Sequence, residues 1–309
     1  MVIPVSERAD TVGPLARTVR DASLTLQAIA GKDAKDNYTL SSPFQAGIPD
    51  YVAACNTTGL QGKRIGIPRN VVDTLPVVSP GKSAPIISSF ERAVASIQDA
   101  GAIIVEGANF TAYESFLKSL LPSSVLAADL KSGLASYLSG LESNPKNLQG
   151  LEDIRNFTQH DPREEYPSRN TALWDAALKS GLNNSSPAFW QMYQKSLFFG
   201  EEGGLLGALS RFDLDAVILP SSLATDIPGI IGTPIITVPF GAFPPETPVQ
   251  YNERGDLVDA APGIPLGISF LGPKWSEESL IVMAYAFEQR TLTRNSLQRV
   301  YEPMTELVL

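Results

Sequence analysis

The chain has 309 residues, 43% of them apolar and 18% charged, a composition typical of folded globular proteins and unlike that of disordered ones. Lys and Arg number 24 against 33 Asp and Glu, and the formal charge of −9 argues against a binder of nucleic-acid phosphates. One cysteine (Cys55) and one histidine (His160) exclude an internal disulfide framework, a cysteine-rich metal site and a His-pair zinc motif, and leave little room for a Ser-His-Asp triad.

Taken in chain order, Leu15, Val19, Ala22, Leu26 and Ile29 follow helical spacing and predict a helix over 15–30, stopped by Gly31. Residues 32–60, rich in Asp, Asn, Ser, Pro and Gly, read as a long surface connection. Lys63 to Pro68 reads as a short strand, with a polar loop from there to about Ser83. Ile86, Phe90, Val94 and Ile97 mark one face of a helix over 85–100, and Ala102 to Val105 a second strand. Strand, helix and strand of these lengths predict a βαβ unit and an α/β fold.

Residues 110–210 read as a helical insertion or cap, with helices over 112–121, 123–140, 149–158, 170–180, 187–199 and 203–211. Trp174 and Trp190 fall in this block and read as core or interface packing. The pattern then returns to buried strands over 215–220, 234–239 and 265–272. A closing helix covers 276–290, with Ser276 as its N-cap and Glu277 and Glu278 in the first turn.

Six N-x-[ST] sequons stand at Asn37, Asn56, Asn109, Asn156, Asn183 and Asn184. They read either as chance or as candidate N-glycosylation sites of a secreted protein. No stretch approaches the roughly 20 apolar residues of a membrane span. The first residues lack the charged start and apolar core of a leader, so sequons without a leader suggest that an N-terminal portion is missing.

The chemistry-bearing residues identify no reaction by themselves. Glu164-Glu165, Glu201-Glu202 and Glu277-Glu278 are adjacent pairs and read as solvated faces. His160 lies in a polar loop sequence, and Cys55 reads as inert. No phosphate-binding glycine motif, metal-ligand cluster or GxSxG elbow occurs, so no cofactor and no metal are expected. Ser221-Ser222 alone among the serine pairs follows the end of a predicted buried strand, where α/β sheets place ligands. The loops around 215–220 and 234–239 are therefore the candidate pocket.

Two segments resemble the amidase signature family. One is Asp10-Thr11-Val12-Gly13-Pro14-Leu15-Ala16-Arg17-Thr18-Val19-Arg20-Asp21-Ala22, continuing to Ala28-Ile29-Ala30-Gly31-Lys32-Asp33. The other is Gly232-Thr233-Pro234-Ile235-Ile236-Thr237-Val238-Pro239-Phe240-Gly241 followed by Pro265-Leu266-Gly267-Ile268-Ser269-Phe270-Leu271-Gly272. Asp36-Asn37-Tyr38-Thr39 and Glu164 to Pro167 resemble the fungal branch. The resemblance implies an amidase signature fold, a twisted mixed β-sheet flanked by helices, and hydrolysis of a C–N amide bond by a Ser–cis-Ser–Lys triad without metal or cofactor. It also implies a small-molecule amide or carboxylic acid as ligand.

In the family, the lysine and the glycine/serine-rich catalytic segment lie upstream of the D-x-V-G-P stretch, which here begins at Asp10. The chain thus resembles about the C-terminal two thirds of an amidase, a partial amidase-like domain over 1–309, with no catalytic residue to carry over and no turnover expected alone. Pro220, Ser221, Ser222, Ile231, Gly232 and Thr233 remain as a candidate substrate-facing wall, against plain strand termination by Gly and Pro. Asp10 and Arg17 are a candidate buried support near the site, against helix capping and surface pairing. The alternatives to a hydrolase are a pocket-retaining binding protein and a truncated gene product with exposed sheet edges.

Overall fold

The computed structural model of the protein describes residues 2–45 and 47–297. In chain order these form α1 (Val19–Ile29), α2 (Asn37–Leu40), β1 (Arg64–Ile67), α3 (Arg69–Val72), α4 (Leu75–Val78), α5 (Ser83–Asp99) and β2 (Ile103–Glu106). Then come α6 (Tyr113–Leu117), α7 (Leu121–Ser139), α8 (Leu151–His160), α9 (Ala172–Ser180), α10 (Pro187–Leu197) and α11 (Leu205–Arg211). The remainder is β3 (Ala216–Pro220), α12 (Asp226–Ile231), β4 (Ile235–Ala242), β5 (Gln250–Tyr251), β6 (Val258–Ala260), β7 (Pro265–Leu271) and α13 (Glu277–Thr291). Contacts divide the chain into two compact units.

The larger unit holds Gly13–Phe110, Ala208–Thr225 and the chain from Thr233 onward. Its five-stranded sheet has the order β2-β1-β3-β7-β4. β1 runs parallel to β2 and β3, while β7 runs antiparallel to β3 and to β4, so the sheet is mixed. Every residue of β3 is buried, which is why Ala216–Pro220 is a continuous apolar run with no alternation. α5 buries Ile86, Phe90, Ala93, Val94 and Ile97, the stripe that its spacing predicts. α13 buries Leu280, Ile281, Met283, Ala284 and Phe287, with the Phe287 ring against Phe270 of β7.

Several elements differ from the sequence reading. α1 begins at Val19, four residues late, because the Thr18 side chain accepts the Asp21 N–H and caps the helix there. The connection over 32–60 is not wholly on the surface: Tyr51 and Leu60 are buried, and Asp36 caps the short α2. The segment after Pro68 folds into α3 and α4, which bury Val71, Val72 and Leu75. Ser276 stands at the N-cap of α13 but does not cap it, since its hydroxyl donates to the Pro273 carbonyl. β4 is not a buried strand, for Ile235 and Thr237 are exposed at the sheet's edge.

The smaller unit holds the chain up to Val12, Thr111–Gly207 and Asp226–Gly232. It is helical, and α7 packs on α8, α9 and α10. Val125, Ala128 and Phe189 form one buried cluster, and Leu134, Leu151 and Ala177 another. The tryptophans do not fill these cores. Trp190 is half exposed, and Trp174 only lines the second cluster.

Candidate functional site

Within the larger unit, β3 ends at Pro220 and hands the chain to Ser221 and Ser222. Pro220 is level with Ile268 of β7, and Ile268 with Val238 of β4. On the next level Leu219 faces Ser269, which faces Thr237. The Thr237 and Ser269 hydroxyls hydrogen-bond each other at 2.7 Å, and Ser269 is fully buried. Gly267 lies between Ser221 and Thr237, because a Cβ there would meet the Thr237 methyl at 2.8 Å and the Ser221 hydroxyl at 2.9 Å. Gly267 is thus a backbone position that admits no side chain, set between the Ser221 hydroxyl and the Thr237 methyl.

The register separates the candidate wall. Thr233 precedes Ile235, which is level with Leu271 and Val217 at the other end of β3 from Ser221. The levels of Ile235 and Val238 are themselves roughly 10 Å apart along an extended strand. Thr233 therefore does not join Pro220, Ser221 and Ser222. Its hydroxyl is buried without a hydrogen-bond partner. An orphaned buried hydroxyl costs about 1–3 kcal/mol, so it marks a position where a further polar group would be favourable. Ile231 and Gly232 belong to the smaller unit, where Ile231 ends α12 and packs against Gly200.

Asp10 and Arg17 do not form a buried support in this chain, since both are exposed. Asp10 accepts the Val5 and Ser6 N–H groups and closes a local turn. Arg17 lines a cleft of about 330 Å³ in the larger unit, together with Leu15, Leu26, Ile236, Glu277 and Leu280. Glu277 departs from the solvated face expected of the Glu277-Glu278 pair. One of its carboxylate oxygens is buried without a partner, and burial holds its carboxyl above the usual range. Burial, and then the charges of Glu277 and Glu278, push the Tyr51 hydroxyl up to about 12. Glu288 also lines the cleft and accepts the Val19 N–H at 2.9 Å, a second cap on α1 supplied by α13.

The sequence reading missed the polar centre of the smaller unit. Asp129 is buried in α7 and accepts from Ser6 Oγ (2.7 Å), Arg8 Nη1 (2.6 Å) and Asn184 Nδ2 (3.1 Å). The Arg8 guanidinium lies 4.9, 5.3 and 5.2 Å from the ring centres of Phe189, Trp190 and Tyr193. Burial raises the Tyr193 hydroxyl, partly offset by the Arg8 charge. The available signal was the lone acid among the apolar residues of 121–139.

His160 is exposed at the end of α8, its Nδ1 on the Asn156 carbonyl oxygen, and Cys55 is half-buried beside Ser23. Among the described residues, no lysine or histidine hydrogen-bonds the hydroxyls of Ser221, Thr237 or Ser269. Among the described residues no cluster of His, Cys, Asp and Glu could hold a metal, and no helix is long and apolar enough to cross a membrane.

The sequons differ in setting. Asn37, Asn56 and Asn109 are exposed, and Asn56 Oδ1 accepts from both the N–H and the hydroxyl of Thr58. Asn156 lies inside α8 with Thr158 buried, the Asn183 side chain holds Ser185, and the Asn184 amide is committed to Asp129.

The family profile named Amidase matches residues 1–281. A protein of Arthroderma benhamiae classed as an amidase is 51% identical over 99% of this chain and 50% of its own length. The peptide amidase of Stenotrophomonas maltophilia superposes with a TM-score of 0.77 at 29% identity, covering 96% of this chain and 56% of its own. A peptide amidase solved with the competitive inhibitor chymostatin gives a TM-score of 0.78 at 28% identity, covering 96% of this chain and 57% of its own. The chain thus spans about half the length of the relatives it matches.

Proposed function

Because the chain belongs to the amidase signature family, we propose that it serves in hydrolysis of the C–N bond of a small carboxamide or peptide amide, as the half that faces substrate. The observation that carries this reading is the family match over residues 1–281. The Ser221 hydroxyl beside Gly267 suits the task of orienting an amide, being a donor and acceptor just past the end of a buried strand. Thr233, with its unpartnered hydroxyl, is a separate polar position away from Pro220, Ser221 and Ser222.

The nucleophile, the bridging serine and the lysine base belong, on this reading, to the part of an amidase that this sequence does not match. The 309 residues alone then give no turnover. The test is ammonia release from acetamide, benzamide and a C-terminally amidated dipeptide by the purified chain. No release above buffer is expected. Hydrolysis abolished by a serine-directed fluorophosphonate would overturn the assignment of the triad to the unmatched part. Saturable benzamide binding without turnover, read by calorimetry, would favour the pocket-retaining binding protein.

A further inference from the structure

Asn56 and a groove beside it, both within the larger unit, lie outside the site described above. The segment that carries Asn56 is fixed against α13. Leu60 is buried, the Gly62 N–H donates to the Gly101 carbonyl at 2.9 Å, and a Cβ on Gly59 would collide with the Val282 carbonyl. Asn56 itself is exposed, and its Oδ1 accepts the Thr58 N–H and the Thr58 hydroxyl, each at 2.9 Å. Both bonds fall on the oxygen, and Asn56 Nδ2 has no hydrogen-bond partner among the described residues. By contrast, Asn184 Nδ2 is spent on Asp129.

Thr57 and Thr58, the next two residues of the sequon, line an open groove of about 260 Å³ together with Gln61, Gln289 and Arg290. Hydroxyls, amides and a guanidinium are donors and acceptors matched to the hydroxyl and acetamido groups of a sugar, and the Ala286 methyl adds an apolar patch. No carboxylate lines the groove, and Arg290 makes no ion pair among the described residues. The volume falls short of the roughly 300–1,000 Å³ of pockets for drug-sized ligands and suits one sugar ring. Such an open groove holds a free sugar weakly, but a sugar bonded to Asn56 is presented at roughly millimolar effective concentration or more.

We propose that Asn56 carries an N-linked glycan whose first N-acetylglucosamine seats in this groove, against Gln61 and Arg290. The linkage forms by transfer from a lipid diphosphate oligosaccharide. Asn56 Nδ2 bonds the anomeric C1, the C1–O bond to the diphosphate breaks, the diphosphate leaves with the electron pair, and Nδ2 gives up one proton. The Thr58 bonds to Oδ1 survive, and Nδ2 keeps one hydrogen to donate. The proposal stands apart from the amidase reading, so amide turnover neither supports nor overturns it.

The test expresses the whole chain behind a secretory leader in yeast and follows glycan release by peptide N-glycosidase F. Peptide mass spectrometry reads release at Asn56 as conversion of the freed asparagine to aspartate. Asn56 should be occupied. Contacts worth one or two ordinary hydrogen bonds should make release from the native chain about tenfold slower than from the tryptic glycopeptide. Gln61→Ala with Arg290→Ala, both at exposed positions, should raise the native rate by that factor and leave the melting of the deglycosylated chain unchanged. In the parent, the nuclear magnetic resonance signals of the Gln61 side-chain amide should move when the glycan is released, a readout that needs no variant. An empty Asn56 would overturn the proposal. So would release as fast from the native chain as from the glycopeptide, slow release indifferent to the two substitutions, or Gln61 signals that stay in place.

Discussion

The centre of the smaller unit should fail when Asp129 is removed. Its carboxylate is 1% exposed and carries three side-chain donors, while the paired Arg8 is 16% exposed. Breaking a buried ion pair at one partner costs about 3–5 kcal/mol, chiefly because the other charge is left unpaired. Arg8 keeps some water and three aromatic faces, each cation–π contact worth about 0.5–1 kcal/mol, so the low end applies. Asp129→Ala should therefore lose about 3 kcal/mol, and Arg8→Met with Asp129→Ala less than the two single changes added together. The coupling should be about 2 kcal/mol. Trp174 and Trp190 are in this unit and Trp275 is in the other, so tryptophan fluorescence in a Trp275→Phe background reads this unit during guanidinium unfolding. A loss below about 1 kcal/mol, or strict additivity, would mean that the apolar contacts around Phe189 carry the unit without the ion pair.

Other outcomes follow from single contacts. Burial raises Asp215, but the Lys63 ammonium and the Arg64 N–H outweigh it and hold the carboxyl below the usual range. A lowered carboxyl stabilises above its unfolded pKa and loses that contribution as pH falls through the folded value. Asp215→Asn should thus destabilise at pH 7 by less than about 1 kcal/mol, given the exposure of the pair, and the deficit should vanish in acid melts. Glu277 has the opposite sign: its raised carboxyl favours the fold below the unfolded pKa, and this is lost as pH rises through the folded one. Glu277→Gln should gain stability relative to the parent between pH 4 and pH 8 (roughly spanning the carboxyl range), and a pH-independent difference would refute the burial argument. Gly267→Ala should cost about 1–3 kcal/mol by forcing Ser221 and Thr237 apart, measured by urea unfolding. If the chain passes through a glycosylating compartment, Asn56 should be occupied and Asn184 empty, as glycopeptide mass spectrometry would establish.

What could be read from sequence depended on how local the cause was. α5 and the strands flanking it were legible, because Ile86, Phe90, Val94 and Ile97 declare one face and Gly101 stops the chain. The start of α1 was misplaced although its cause is also local, the Thr18 cap three residues before Asp21. The candidate wall was legible only as a set of strand ends. Sequence order places 220–222 near 231–233, but β3 and β4 run the same way on either side of β7, which puts the end of one strand and the start of the other at opposite ends of the strands. Gly267 and Ser269 stand out in the sequence by their motif, but only the register sets Ser221 and Thr237 beside them. Asp129 is tied to Ser6 and Arg8 across more than a hundred residues, and no periodicity encodes such a pairing.

The strand order also fixes a timetable for synthesis. β1 and β2 leave the ribosome before β3, yet the neighbour of β1 on its other side is β3, and Lys63 waits for Asp215, 152 positions later. At about 5–20 residues per second that interval lasts on the order of ten to thirty seconds. Throughout it, Ile65, fully buried in the finished sheet, has β2 on one side and lacks its β3 neighbour Ala216 on the other. The nascent chain is therefore most exposed to holdase chaperones between the emergence of β1 and that of β3, and slowing translation within 111–207 should lengthen that contact.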